Sequence, residues 1–403
     1  MELMEVIKSR RTPATEINQR ITKLQEVMQL QGLDGAIIVQ NIDLFYYTGT
    51  IQNSQLFIPA EGKPVLLVRR VYQRAKEESP LENIQPLTSL KKLPELLAGM
   101  GFTGLKKLGF ELDVLPYNNV ILYQQLFPGV ELWDISPAIR NQRAVKSAYE
   151  IEILKRAGQI HYEVFRQVPE FLKAGITEVE LAGKFEAVAR AMGHQGLVRI
   201  RGFNQDLTYG CCVSGADAAV AGFFDGPVSG AGLSPAYPNG GGQKRIVRGQ
   251  PVILDYSGIV DGYIVDQTRI FSVGPVSEKL RRAHREAVEI QEAIVEIAKP
   301  GTPCGELYDL AANMAEKCGL ADHFQGYKEN QVKFVGHGVG LELDEMPVIA
   351  KGVKTLLEPG MVFALEPKFV FPGEGVVGIE NTFVVTPDGV ERLTLNPDEL
   401  VEI

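Results

Sequence analysis

The spacing of apolar and polar positions divides this chain into two parts. From residue 16 to 32, Ile17, Ile21, Leu24 and Met28 recur at helical spacing and Gly32 supplies a stop. Strand-like runs follow at 35–39, 44–47, 55–58 and 64–68. A helical stretch around 90–97 precedes another strand at 107–111. Helices alternating with short apolar runs predict an α/β unit ending near Ser136-Pro137. Residues 138–146 are basic and polar, with Arg140, Arg143 and Lys146, and read as a linker. It leads into a helix that Ser147 caps, with Glu150 three residues on to close a capping box. The expected domains are therefore 1–138 and 139–403.

Beyond that boundary the pattern changes. Long helical stretches at 148–171, 178–192, 277–298 and 305–317 alternate with strand hairpins. Residues 222–249 are rich in Gly, Pro and Ser and predict a long irregular loop. The chain carries no internal repeat and no low-complexity segment.

The hairpins hold the candidate chemistry. Strands at 251–256 and 263–272 flank Asp261-Gly262, a strong turn signal. A two-residue loop sets Asp255 against Thr268 with Asp266 on the diagonal; a loop over 259–262 sets Asp255 against Asp266. Either register puts both carboxylates on one face, because side chains alternate with period two. Ile253, Leu254, Ile264 and Val265 mark these strands as buried. Further on, strands at 361–371 and 376–385 flank Pro372-Gly373-Glu374-Gly375, and an odd-length loop would set Glu366 opposite Glu380. His337 lies in Phe334-Val335-Gly336-His337-Gly338-Val339-Gly340, where the glycines let backbone come close.

Taken singly, each group has an ordinary reading: a solvated hairpin face, surface strand charges, a core histidine. Together, four carboxylates and one imidazole in apolar or glycine-lined runs are costly to bury without positive charge among them. Divalent metal is the simplest source, and two ions suit four carboxylates better than one. His161, His194, His284 and His323 sit in helical or helix-flanking stretches with no partner motif.

Composition narrows the function classes. The 403 residues are 45% hydrophobic and 23% charged, with net charge -9; this is ordinary globular material with room for a large core. No lysine/arginine block makes a polyanion footprint, so nucleic acid is not an expected partner. No apolar run approaches the ~18 residues that span a bilayer. The N-terminal stretch carries Lys8, Arg10 and Arg11 without an apolar core behind them, unlike a secretory signal. Cys211, Cys212, Cys304 and Cys318 form no CxxC pair, which suits a reduced, cytoplasmic chain.

The motifs also resemble a family. Asp255-x-x-Gly258, Gly262-Tyr263, Asp266-x-Thr268-Arg269, Gly336-His337-Gly338-Val339-Gly340-Leu341-Glu342, Glu358-Pro359-Gly360-Met361, Glu366-Pro367 and Ile379-Glu380-Asn381 resemble the pita-bread metallopeptidases. These include Xaa-Pro aminopeptidases, prolidases, methionine aminopeptidases and the metal-free creatinases. Residues 41–49 resemble the start of a creatinase/prolidase N-terminal domain, and Arg143-Ala144-Val145-Lys146-Ser147 the lead into a catalytic domain. The implied fold is α+β: an α/β creatinase-type N-terminal domain, then a pita-bread domain. The resemblance implies that Asp255 holds one metal, that Asp266 and Glu380 bridge two, and that His337 and Glu366 complete the set. It further implies a bridging water as nucleophile, with Glu366 carrying its proton to the leaving amine. Manganese or cobalt, then iron or zinc, suits such oxygen-rich donors with one imidazole. A homodimer is common among such enzymes, and short peptides or a small molecule are the expected substrates.

Three positions depart from that family. A His upstream of the first Asp, in a Pro-His-Tyr setting, corresponds here to Ala236 in Pro235-Ala236-Tyr237-Pro238. A His seven residues after the ligand His is Asp344, and the Arg two before the last Glu is Gly378. Tyr237, Asp344 and Gly378 are therefore the expected substrate-contacting positions, with Asn239, Gln243 and Lys244 as further replacements on the same loop. Because the departures fall on substrate-handling positions, two alternatives stand beside the peptidase: a C–N hydrolase or lyase of a small metabolite, and a non-catalytic binding scaffold.

Overall fold

The computed structural model of the protein describes residues 11–403, so Lys8 and Arg10 of the N-terminal reading lie outside the described residues. The chain divides into a unit ending at Arg143 and a unit spanning Ala144–Ile403.

In the first unit the helix Ala14–Leu30 buries Ile17, Ile21, Leu24 and Met28, and Gly32 follows it with a positive φ of 66°. Strands β1 (Gly35–Ile38), β2 (Ser54–Pro59), β3 (Val65–Val68), β4 (Ile84–Pro86), β5 (Lys107–Phe110) and β6 (Glu131–Asp134) form one sheet in the order β4-β3-β2-β1-β5-β6. β1–β2 and β2–β3 are antiparallel, and the remaining neighbours are parallel. Ile37, Phe57, Leu67, Leu108 and Phe110 centre the core on one face.

Two expectations fail here. Residues 44–47 are helical, within Asn41–Thr48. The Gln40 side chain accepts from the amides of Ile42 and Asp43, and Gly49 in the left-handed region ends the helix. Burial of most of its residues produces a continuous apolar run that imitates a strand. The expected linker at 138–146 is mostly the helix Ser136–Ala144. Arg140 and Asn141 face solvent, but the rest of its polarity is paired inside: Arg143 Nη1 donates to Asp43 at 2.7 Å, and Tyr47 donates its hydroxyl to Gln142 at 3.0 Å.

The second unit opens with the helix Ala148–Phe165, closed at its start by the expected box. Ser147 Oγ accepts from the Glu150 amide at 3.2 Å and Glu150 Oε2 accepts from the Ser147 amide at 3.0 Å. The helix stops short of residue 171 because Pro169 cannot donate to the turn below, leaving a separate turn at Val168–Phe171. Strands β7 (Gly210–Ser214), β8 (Val252–Val260) and β9 (Tyr263–Ser272) lead to helices Glu278–Ile297 and Cys304–Lys317. Then come β10 (Phe334–Gly338), β11 (Glu345–Ala350), β12 (Val362–Leu365), β13 (Lys368–Phe371), β14 (Gly375–Gly378), β15 (Asn381–Val385), β16 (Val390–Arg392) and β17 (Val401–Glu402). The sheets are β17-β9-β8-β7, β11-β10-β12-β15-β16 and the pair β13-β14. The two long helices cover them with Leu280, Ala287, Ile290, Ile294, Leu307 and Ala311.

Two registers position the site. Val260 pairs with Tyr263 across Asp261-Gly262, both at positive φ, so the turn is the two-residue kind. Asp255 therefore faces Thr268 and Asp266 faces Ser257. The second expected hairpin is not continuous. β13 pairs with β14 as Phe371↔Gly375, and β12 pairs with β15 as Leu365↔Asn381. Both pairings belong to one register, but the ladder breaks at Glu366-Pro367 and Ile379-Glu380, where the chain passes from one sheet to the other. Pro367 has no N–H for a ladder. The Glu366 amide donates instead to Val335 O at 2.8 Å, and Glu380 bridges to Thr268.

Candidate metal centre

The break in the hairpin sets two glutamates side by side against the β8–β9 face. Asp255, Asp266, His337, Glu366 and Glu380 converge there. His337 Nε2 lies 4.0 Å from Asp266 Oδ2, 3.8 Å from Glu366 Oε1 and 3.7 Å from Glu380 Oε1. One donor atom each from Asp266, His337 and Glu380 lies within 4.8 Å of the other two. All but Asp255 and His337 are buried; those two side chains keep 22% and 13% of their surface open.

Each side chain is held by its neighbours. Ser257 donates to Asp266 Oδ1 at 3.3 Å, as does the Gln267 amide at 3.1 Å. Thr268 Oγ1 donates to Glu380 Oε2 at 2.9 Å. Behind β9, Arg269 donates to Glu380 O at 2.8 Å and to Asn381 Oδ1 at 2.7 Å, clamping the segment that carries Glu380. His337 Nδ1 faces Leu343 O at 3.0 Å. A proton there donates to that carbonyl and leaves Nε2 aimed at the carboxylates. The loop that brings Leu343 over His337 is pinned by Glu345, which accepts from the Leu341 and Glu342 amides and pairs with buried Lys146 at 3.0 Å. Gly338 and Gly340 are required by close approach. A Cβ would stand 2.4 Å from Met346 backbone at the first and 2.6 Å from Glu345 Oε2 at the second.

A sixth group, absent from the sequence expectations, lies inside the cluster. Lys368 Nζ donates to Asp255 Oδ2 at 2.9 Å, Glu366 Oε2 at 2.7 Å and Glu380 Oε2 at 2.8 Å. Its side chain is 1% exposed. The signal was present: Lys368 is two residues past Glu366, so strand alternation points both the same way.

The electrostatics follow from burial and these contacts. Burial pushes Asp266 well above the usual carboxylate range, and the nearby Glu380 and Asp255 charges push the same way. Burial also raises Asp255 and Glu366, against the pull of Lys368. At Glu380 burial is overcome by Lys368 and His337, and the group ends below its ordinary value. Burial alone would lower His337 and Lys368; the surrounding carboxylates raise both instead.

The donor chemistry separates into two parts. Asp266, His337 and Glu380 fit one divalent ion. The space among Asp255, Glu366 and Glu380 holds the ammonium of Lys368.

The expected substrate positions scatter. Asp344 Oδ1 lies 3.7 Å from His337 Nδ1, at the open side of the centre. Gly378 pairs with Lys368 across β13–β14. Tyr237 is on the irregular loop, where its hydroxyl accepts from the Thr208 amide at 3.3 Å. Ala236 is exposed. Lys244 is engaged with Glu178 at 3.4 Å and with Ser214 O, and Asn239 caps Gly240. The other four histidines bond backbone carbonyls: His161 to Tyr256, His194 to Ser257, His284 to Asp398 and His323 to Val370.

Comparison with known proteins gives the arrangement a context. The profile of Metallopeptidase family M24 matches residues 152–387, and that of the Creatinase/Prolidase N-terminal domain matches residues 20–145. The chain is 30% identical over 388 residues to the Xaa-Pro dipeptidase of Pyrococcus furiosus, covering 96% of this chain and 100% of that protein. It is similar in structure to the prolidase from Pyrococcus horikoshii, with TM-score 0.79, 28% identity, and 95% and 100% of the two chains covered. The Xaa-Pro dipeptidase from Bacillus anthracis matches with TM-score 0.82 at 26% identity, covering 96% of this chain and 100% of that one.

Proposed function

The chain belongs to metallopeptidase family M24, a family of metal-dependent hydrolases, and from that premise we propose that it cleaves Xaa-Pro dipeptides or the N-terminal residue of short proline-containing peptides. The fold is the pairing that membership implies, a creatinase-type N-terminal domain before a pita-bread domain. The observation that carries the substrate reading is the convergence of Asp266, His337, Glu380 and Glu366 in one buried centre, on a chain whose full-length relatives are named Xaa-Pro dipeptidases.

In this reading Asp266, Glu380 and the Nε2 lone pair of His337 would hold a divalent metal, with Asp255 and Glu366 as neighbouring carboxylates held by Lys368. Manganese or cobalt suits donors so rich in oxygen. Bound there, the ion supplies an activated water and polarises the scissile carbonyl. Glu366 Oε1 takes a proton from water and returns it to the leaving amine. Leu343 O keeps the Nδ1 proton of His337 in place, so the ring presents Nε2 throughout. Asp344 at the open side gives the substrate end of the site an acidic group where the resembling peptidases carry a histidine, which favours a substrate amine over a carboxylate at that point.

No helix among the described residues is long and apolar enough to cross a membrane. The four cysteines are free, which supports a reducing, cytoplasmic setting, and a homodimer belongs to the same proposal.

The test is direct. Protein loaded with manganese and shown to hold it should release free proline from Ala-Pro or a similar dipeptide. Absence of release from any Xaa-Pro peptide, with metal demonstrably bound, would remove the substrate assignment.

A further inference from the structure

We propose that Lys368 supplies, permanently, one of the two positive centres that this donor set calls for, so that the site takes one divalent ion, at Asp266, His337 and Glu380, rather than two. This deepens the metallopeptidase reading and rests on it only for the identity of the ligand as a divalent cation.

The ammonium is saturated where it stands. It has three N–H donors and meets three carboxylate oxygens at 2.7 to 2.9 Å. A divalent ion bound by the same oxygens would sit about 2.0–2.2 Å from each, within the volume that Nζ fills. Ion and ammonium therefore exclude one another from the space among Asp255, Glu366 and Glu380.

The backbone that carries Lys368 is held on both edges. Its amide donates to Gln325 Oε1 at 2.8 Å and its carbonyl accepts from the Gln325 amide at 2.9 Å, so one edge of β13 is fixed. The other edge pairs with β14. The facing residue is Gly378, and a Cβ there would stand 2.6 Å from Lys368 Cα and 2.8 Å from its Cγ. The partner strand is thus pared back where the lysine stem rises. Glu366 and Glu380 each turn one oxygen to Lys368 and the other toward His337. That division joins the two halves: the ammonium orients both glutamates so that their remaining oxygens face the imidazole and the ion beside it.

The experiment counts metal and needs no turnover. Full-length protein is saturated with manganese, desalted, and assayed for metal per chain by mass spectrometry and by electron paramagnetic resonance. The expected result is one ion per chain with the signal of an isolated manganese. Two ions per chain, or an exchange-coupled pair, would overturn the proposal. The Lys368→Gly variant should take up a second ion and show coupling; a folded variant that still binds one would also overturn it. Should that variant fail to fold, the wild-type count decides alone. Loss of the Xaa-Pro assignment would leave the count untouched, and an unexpected count would leave proline release untouched.

Discussion

The two halves of the buried centre meet the same difficulty with different devices. On one side Asp255, Glu366 and Glu380 surround an ammonium that the chain itself provides. On the other, Asp266 and the second oxygen of Glu380 face an imidazole at 4.0 and 3.7 Å, too far for a direct hydrogen bond. The first half is complete as a folded structure. The second is a set of donors at metal-binding spacing. A cluster of buried acids is therefore not by itself a count of metal ions, because a strand lysine can fill an ion's place.

The largest expected effect falls on chemistry and leaves both halves standing. Glu366→Gln keeps the shape and the contact with Lys368 but cannot accept a proton. The proline-release rate should fall about 10²–10⁴-fold, the usual contribution of a general base, while bound metal is unchanged. A loss smaller than tenfold would move the proton acceptor elsewhere.

Removing the ammonium comes next and separates the halves. Lys368→Met leaves three carboxylates around an apolar stem, and breaking a buried pair on one side costs about 3–5 kcal/mol. The metal-free variant should melt well below wild type. Divalent ion should then recover more stability in the variant than in wild type, because a new binding site adds roughly RT ln(1 + [L]/Kd). Calorimetry with chelator and with manganese reads both arms. Equal metal-induced shifts would mean that Lys368 does not occupy an ion's place.

How much of this was readable beforehand differs between the halves. Asp255 and Asp266 could be set on one face because period two allows no other outcome in either register. Glu366 and Glu380 could be set opposite only on the condition of an odd-length loop, and the fold meets it because Gly375 joins the strand and pairs with Phe371. Lys368 obeys the same alternation, yet a lysine beside Phe369-Val370-Phe371 passes for a solvated charge on an edge; only the fold shows that β13 buries it. The helix at 41–48 and the helix over 136–144 were missed for related reasons. In one, burial on most sides erased the helical period; in the other, a buried ion pair at Arg143 beside exposed Arg140 and Asn141 gave a helix the look of a linker. Polarity in the sequence reports charge, and only packing reports where its partner is.

Gly378→Ala tests the packing around the ammonium half alone. The new Cβ would stand 2.5 Å from Pro367 O, which is backbone and fixed. Overpacking of this kind costs about 1–3 kcal/mol. Urea unfolding of the metal-free protein should show it, while manganese retention at Asp266, His337 and Glu380 stays within a few-fold of wild type. A neutral result would mean that β13 and β14 can part freely at that point.

His161 is a control for His337. His161 is buried and the His337 side chain is 13% open, but His161 faces Tyr256 O and two aromatic rings where His337 faces acids. Burial holds it down to about 3, whereas the acids around His337 push that ring up. For His161 the unfolded chain, at about 6.5, binds the proton first. Its contribution is therefore fully present above pH 6.5 and is lost as pH falls toward 3, with a slope of about 1.4 kcal/mol per pH unit. His161→Gln, which can still donate to Tyr256 O, should reduce the acid loss of stability between pH 6 and 4 by about that slope. Denaturant midpoints at several pH values in that window check it; an unchanged slope would show that His161 does not stay neutral.

The smallest effect is expected at Asp344. Its side chain is 43% exposed and 3.7 Å from His337 Nδ1, so solvent screens much of the attraction. An exposed pair of this kind contributes about 0–1 kcal/mol. Asp344→Asn should therefore change the manganese dissociation constant by no more than about fivefold and leave the ion count alone, because Leu343 O still fixes the ring. Its larger consequence should be in KM for peptides of different N-terminal charge, since the carboxylate stands at the open side where the proposed substrate would bring its amine. A change in KM that is the same for N-acetylated and free peptides would place Asp344 outside the substrate path and confine it to orienting His337.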